Sequence, residues 1–100
     1  MHFADKATSE LFNGIASKAS RKVIPAALAQ GALAKLTLLE AAVNLKQFQI
    51  PPGNRLEALR GDREGRHSIR INDRYRICFR WTDVGAVDVE VVDYRTRSRK

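Results

Sequence analysis

At Pro51-Pro52-Gly53 the period of the apolar residues changes, and that change limits the fold more than any other feature. Before it, Ile24, Leu28, Leu36, Leu39 and Val43 keep close to one helical stripe, with Leu33 alongside. After it, from Arg55 onward, apolar and polar residues alternate as they do on a strand with two unlike faces. The prolines lack backbone N–H donors, so no helix continues through them, and Gln47 to Gly53 is expected as an ordered turn. A helical half followed by a strand half is the pattern of an α+β protein.

In the first half, His2-Phe3-Ala4 is expected as a short edge strand. Asp5 is the N-cap of a first helix through Ala7, Leu11, Phe12 and Ile15, with Asn13-Gly14 as its stop signal. Ser17 to Lys22 is polar and basic and reads as a turn. Pro25 suits the first turn of a second helix, where its missing N–H is harmless. That helix is expected to end near Leu45. Gly31 within it costs about 1 kcal/mol relative to alanine and permits close packing.

The second half is read as a series of strands. Arg55 to Leu59 is the first, followed by a turn over Gly61 to Gly65. His67 to Ile71 is the second, and Asn72-Asp73 turns the chain into Arg74 to Trp81. Alternation puts Tyr75, Ile77, Phe79 and Trp81 on one face of that strand and Arg74, Arg76 and Arg80 on the other. Thr82 to Gly85 turns again, and Val87, Val89 and Val91 alternate with Asp88 and Glu90 up to Asp93-Tyr94-Arg95. The last residues, Thr96 to Lys100, are a basic tail. The expected architecture is two N-terminal helices packed on one face of a small, mostly antiparallel twisted sheet, whose other face stays polar. Residues 1–100 are expected to form a single domain.

Charge narrows the partners. Eighteen lysines and arginines against eleven acids give +7, which suits nucleic acid, a ribosome or an acidic protein. Cys78 is the only cysteine, which excludes an internal disulfide and a cysteine metal cluster, and its apolar neighbours suggest a core position. The first residues lack the basic and apolar regions of a signal peptide, and no segment approaches the roughly 18 apolar residues of a membrane span. A cytoplasmic chain with no membrane partner is expected. No helix-turn-helix or zinc-finger spacing points to a stand-alone DNA-binding module.

Arginines on rigid strands can hold a phosphate backbone, and an acid, a phenol and a cation at Asp93-Tyr94-Arg95 can act on one. The ordered set Asn54-Arg55-Leu56, Leu59-Arg60-Gly61-Asp62-Arg63, Ser68-Ile69-Arg70-Ile71-Asn72-Asp73, Tyr75-Arg76-Ile77-Cys78-Phe79, Asp88-Val89-Glu90 and Val92-Asp93-Tyr94 resembles the HigB toxins of the RelE/ParE superfamily. Phe3-Ala4-Asp5-Lys6 and Leu11-Phe12-Asn13-Gly14 resemble the opening of that family.

The resemblance implies the toxin of a type II toxin–antitoxin pair, a ribosome-dependent endoribonuclease that cuts mRNA in the A site. Its partners would be the ribosome, mRNA and a HigA-like helix-turn-helix antitoxin, with operator DNA reached only through the antitoxin. Cleavage would proceed by attack of the 2′-hydroxyl, needing a base, an acid and cations for the phosphorane, but no metal or other cofactor. By the same resemblance Arg76 matches the arginine that stabilises the phosphate; its plainer reading is a cross-strand ion pair with Asp88 or Glu90. Arg60 stands where relatives commonly carry lysine, and Asp93 and Tyr94 match the first two members of an Asp-Tyr-His ending. Glu57 and Arg95 replace histidines that are usual in relatives. Arginine does not shuttle protons near neutrality, so the base is left open between Glu57, whose plainer reading is a solvated carboxylate, and Asp93, which could instead orient a neighbour; cleavage is expected to be slow. Arg55, Arg60, Arg70, Arg76 and Arg95 form the expected RNA-binding set, while His67 fits no catalytic position and is assigned to packing or surface. The alternatives are a catalytically silent ribosome or RNA binder on the same fold, and a ParE-like toxin that inhibits gyrase.

Overall fold

The structure is a computed structural model that describes residues 1–50, 52–59, 61 and 64–93. Among the described residues the order is α1 (Lys6–Phe12), α2 (Lys18–Val23), α3 (Ala26–Ala41), two short 3₁₀ turns (Leu45–Gln49 and Pro52–Asn54), then β1 (Glu57–Ala58), β2 (Arg66–Arg70), β3 (Tyr75–Thr82) and β4 (Gly85–Asp93). The four strands form one antiparallel sheet in sequence order. The α+β class and the helix-on-sheet arrangement agree with the sequence reading.

The helical layer holds one helix more than expected. α2 occupies the polar stretch that reads as a turn, because Ser17 accepts from the Ser20 backbone N–H at 3.0 Å and Ser20 Oγ accepts in return from the Ser17 N–H at 3.0 Å. This reciprocal cap satisfies donors at the helix start without an apolar period. Asp5 caps α1 as expected, accepting from the Thr8 N–H at 2.7 Å.

α3 stops at Ala41, short of Leu45, and Val43 is 84% exposed. The chain re-enters a 3₁₀ turn there because Gln47 Oε1 accepts from the N–H groups of Val43 and Asn44 at 2.7 and 3.0 Å. The turn seats Phe48 in the core, its ring 6.1 Å from Phe79 and 6.4 Å from Trp81. On α3 the deepest residues are Ala32, Leu36 and Leu39, one stripe at helical spacing. They meet Ile69, Ile77, Phe79, Val89 and Val91 from one sheet face. Burying each large side chain contributes roughly 1.5–3 kcal/mol.

The edge of β4 is protected. Phe3 bridges Val89 in parallel, with Ala4 donating to Val89 at 2.9 Å and Val89 to His2 at 3.0 Å. Further along, buried Thr8 Oγ1 accepts from the Val91 N–H at 3.1 Å. An edge closed in this way offers no template to another strand.

Two backbone features break the expected alternation. Asp88 has φ 52°, and the register jumps from Cys78↔Glu90 to Arg80↔Val87, so Phe79 opposes two residues. This bulge takes Val87 off the face of Val89 and Val91 and puts buried Ala86 there instead, opposite Trp81. Arg55 has φ 46°, and β1 shrinks from the expected Arg55–Leu59 to Glu57–Ala58.

Candidate functional site

The register decides which candidates meet. On the sheet face away from the helices, Glu57, Ser68, Cys78 and Glu90 lie in one row, and Arg70, Arg76 and Val92 in the next. Asp93 pairs with Tyr75, and neighbours in a strand point to opposite faces, so Asp93 and Arg76 are on different sides of the sheet. The candidates therefore divide into two arginine–carboxylate clusters.

The first is centred on Arg76, which is only 6% exposed. The face around it is polar, as expected, but it is not open. Arg76 Nε donates to Ser68 Oγ at 2.8 Å, and Nη2 donates to the backbone carbonyl of Arg55. The same Nη2 lies 3.5 Å from Glu57 Oε1, whose side chain is 52% exposed. The ion pair anticipated with Asp88 or Glu90 is thus made with Glu57 instead. Asp88 lies 3.8 Å from Arg80, and Glu90 lies 3.5 Å from Arg66. A buried guanidinium is tolerated because these acceptors replace lost water. Arg55 supplies one of them at the cost of a left-handed backbone, roughly 1–2 kcal/mol for a non-glycine residue.

Arg70 is the cross-strand partner of Arg76 and binds Asp73 through its guanidinium. Close by is Lys35 of α3, whose ammonium donates to buried Asn54 Oδ1. Its pKa is lowered, first by burial and then by the charge of Arg70.

The second cluster lies at the end of β3 and β4. Arg74 grips Asp93 in a fork, with Nε 3.0 Å from both carboxylate oxygens and Nη2 2.7 Å from Oδ2. Its guanidinium also lies 5.2 Å from the Tyr75 ring centre. The hydrogen bond to Asp93, followed by the carboxylate charge, holds the Arg74 pKa above its ordinary value despite some desolvation. Asp93 is therefore engaged by an arginine that was read only as a strand-face cation.

Arg60, Tyr94 and Arg95 lie outside the described residues. His67 stacks on Phe79 at 6.2 Å, and its Nδ1 is buried without a partner among the described residues, in keeping with a packing role. Three cations near the Arg76 cluster escaped the list of expected site residues. Arg66 falls next to the Gly61–Gly65 turn in sequence, and Arg80 carries no motif of its own. Both became visible through the strand register, where they pair with each other. Lys35 gives no signal at all within the apolar spacing of α3. The helical layer has a separate cleft of about 390 Å³ lined mainly by Leu11, Ile15, Ile24, Ala29 and Leu33, with no carboxylate among the described residues that line it.

A helical layer on one face of a four-stranded antiparallel sheet, with arginines and carboxylates across the other, defines a small basic protein of RelE-like architecture. Residues 1–95 match the family described as the RelE-like toxin HigB of type II toxin–antitoxin systems, and the chain belongs to that family. It is 42% identical over 62 residues to Toxin HigB-1 of Vibrio cholerae serotype O1 (strain ATCC 39315 / El Tor Inaba N16961), a match covering 62% of this chain and 65% of that protein. The chain thus spans a little under two thirds of the length of this relative.

Proposed function

We propose that the chain is a ribosome-dependent endoribonuclease that cuts mRNA in the A site and is neutralised by a HigA-like helix-turn-helix antitoxin. The observation that carries this reading is the Arg76–Glu57 pair, a buried guanidinium 3.5 Å from a half-exposed carboxylate on the arginine-bearing sheet face. Glu57 accepts the proton of the attacking 2′-hydroxyl, and Arg76 stabilises negative charge on the phosphorane. The 2′-oxygen bonds to phosphorus as the bond from phosphorus to the 5′-oxygen breaks, and the 5′-oxygen takes a proton from water, giving a 2′,3′-cyclic phosphate and a 5′-hydroxyl. Metal-independent chemistry of this kind relies on the ribosome to align the RNA, and cleavage is slow.

Arg55, Arg66, Arg70 and Arg80 hold the backbone around the pair. Asp93 orients Arg74 at the end of the sheet, and Arg60, Tyr94 and Arg95 complete the phosphate and base contacts. A protein that acts on translating ribosomes works in the cytoplasm, and operator DNA is reached only through the antitoxin. Family membership supports the toxin–antitoxin setting.

The second reading is a catalytically silent ribosome or RNA binder. It is favoured by the burial of Arg76 and by its engagement with Ser68, Arg55 and Glu57. Primer extension on programmed ribosomes separates the two. New 5′ ends with the wild type that vanish with Glu57→Gln support the nuclease. Ribosome binding without cleavage supports the silent binder, and inhibition of gyrase supercoiling instead would displace both.

A further inference from the structure

Within the motif Asn54-Arg55-Leu56, Asn54 has no role in the pair that the motif flanks. Asn54 is 1% exposed, deep enough that its amide must be satisfied from within the protein. Its Nδ2 donates to the carbonyls of Phe48 and Ile50 at 3.4 Å each, and its Oδ1 accepts from Lys35 of α3. The turn closes with the Arg55 N–H donating to Pro52 O at 3.0 Å. The next backbone group is the Arg55 carbonyl, presented by a left-handed residue and accepting from Arg76 Nη2.

A left-handed arginine persists where its surroundings over-determine the backbone. Here Asn54 fixes the chain on one side of that residue, and Arg76 takes up its carbonyl on the other. We infer that Asn54, clamped by Lys35, is a positioning residue for Arg76: it seats the Arg55 carbonyl and thereby sets the orientation of the guanidinium toward Glu57. The helical layer is thus linked to the opposite sheet face through one side chain and one peptide group. The inference rests on the proposed role of Arg76 for its catalytic consequence, but the linkage itself is independent of any activity.

The test follows the Arg76 Nε–Hε resonance by ¹⁵N NMR in the full chain, assigned with Arg76→Lys, together with cleavage of ribosome-bound mRNA. Asn54→Ala is expected to shift the resonance and speed its hydrogen exchange about tenfold, the equivalent of one lost hydrogen bond. It is also expected to lower kcat by about tenfold to a hundredfold with KM for ribosomes unchanged. Arg55→Val, which disfavours φ near 46°, reproduces the altered resonance, whereas Arg55→Gly, which adopts that φ freely, retains the wild-type one. Lys35→Met gives the same direction of change and stands in if Asn54→Ala does not fold. Folded Asn54→Ala or Arg55→Val with a wild-type Arg76 resonance and exchange rate would overturn the inference. Wild-type protein that never cuts mRNA would remove the nuclease reading, and the resonance would still decide the linkage.

Discussion

The two arginine–carboxylate pairs of the sheet make opposite use of the same chemistry. Arg74 and Asp93 have the better geometry, a fork with three contacts of 2.7–3.0 Å, yet the Arg74 side chain is 45% exposed. Arg76 and Glu57 approach only to 3.5 Å, but the Arg76 side chain is 8% exposed. Water competes for the first pair and screens it, so good geometry adds little there. In the second, the cation has left water and depends on the acceptors around it. Burial, more than hydrogen-bond length, sets how much each pair matters. It also separates their roles: the buried guanidinium is a fixed electrostatic element, and the exposed fork is a surface fastening.

The sharpest way to break this comparison is to remove Arg76. Arg76→Ala leaves the buried Ser68 Oγ and the part-buried Arg55 carbonyl without their donor, and it should cost about 3 kcal/mol of unfolding free energy. Cleavage on the ribosome should be lost as well. Urea unfolding followed by primer extension checks both, and an Arg76→Ala protein as stable as wild type would mean that burial had not made this pair the weightier one. Glu57→Gln tests the other end. Its side chain is half in water, so stability should change by less than about 1 kcal/mol. With Glu57 as the proposed general base, its loss should still slow cleavage by about a hundredfold or more. Equal cleavage by Glu57→Gln and wild type would remove Glu57 from the chemistry while leaving the comparison of stabilities intact.

How far these pairs were legible in the sequence depends on what sets each contact. The stripe through Leu36 and Leu39 and the alternation of Tyr75, Ile77 and Phe79 are periodic, so the helix and strand that build the core were readable. α2 was not, because its start depends on two serines capping each other within six residues. Arg76 and Glu57 stood out as residue types, but their approach is a consequence of register, with Glu57 opposite Ser68 and Ser68 opposite Cys78, two residues from Arg76 on the same face of β3. Register also separated Asp93 from Arg76, although motif order suggested a shared site. The bulge at Asp88 and the left-handed Arg55 carry no sequence signature, since neither is a glycine and each is held by surrounding structure. Lys35 was invisible for the same reason: only the fold brings it to Asn54.

The exposed pair should break with less consequence. Asp93→Asn removes the charge that Arg74 grips while keeping the shape of the side chain, and the unfolding midpoint should move less than with Arg76→Ala. Raising the ionic strength from about 0.1 to 1 M, where the Debye length falls from about 10 to 3 Å, should erase the remaining difference between Asp93→Asn and wild type. A salt-resistant loss as large as that of Arg76→Ala would mean that the fork is buried in function if not in exposure.

The smallest expected effect comes from Lys35, which braces the buried pair through Asn54, and it is read as a pH slope. Burial and the charge of Arg70 hold its folded pKa below the ordinary 10.5. Between that lowered value and 10.5 the unfolded chain keeps a proton that the folded chain has released. Stability therefore rises with pH across this window, and below it the protonated amine weighs against folding by a constant amount. Lys35→Met has no proton to exchange, so its unfolding free energy should lack this rise. The difference between the two curves is the quantity to measure. Urea midpoints taken from about pH 8 to pH 10.5 should show wild type gaining on Lys35→Met as the pH increases. Parallel curves would place Lys35 in water rather than against Asn54, and the buried pair would then stand without its brace from the helical layer.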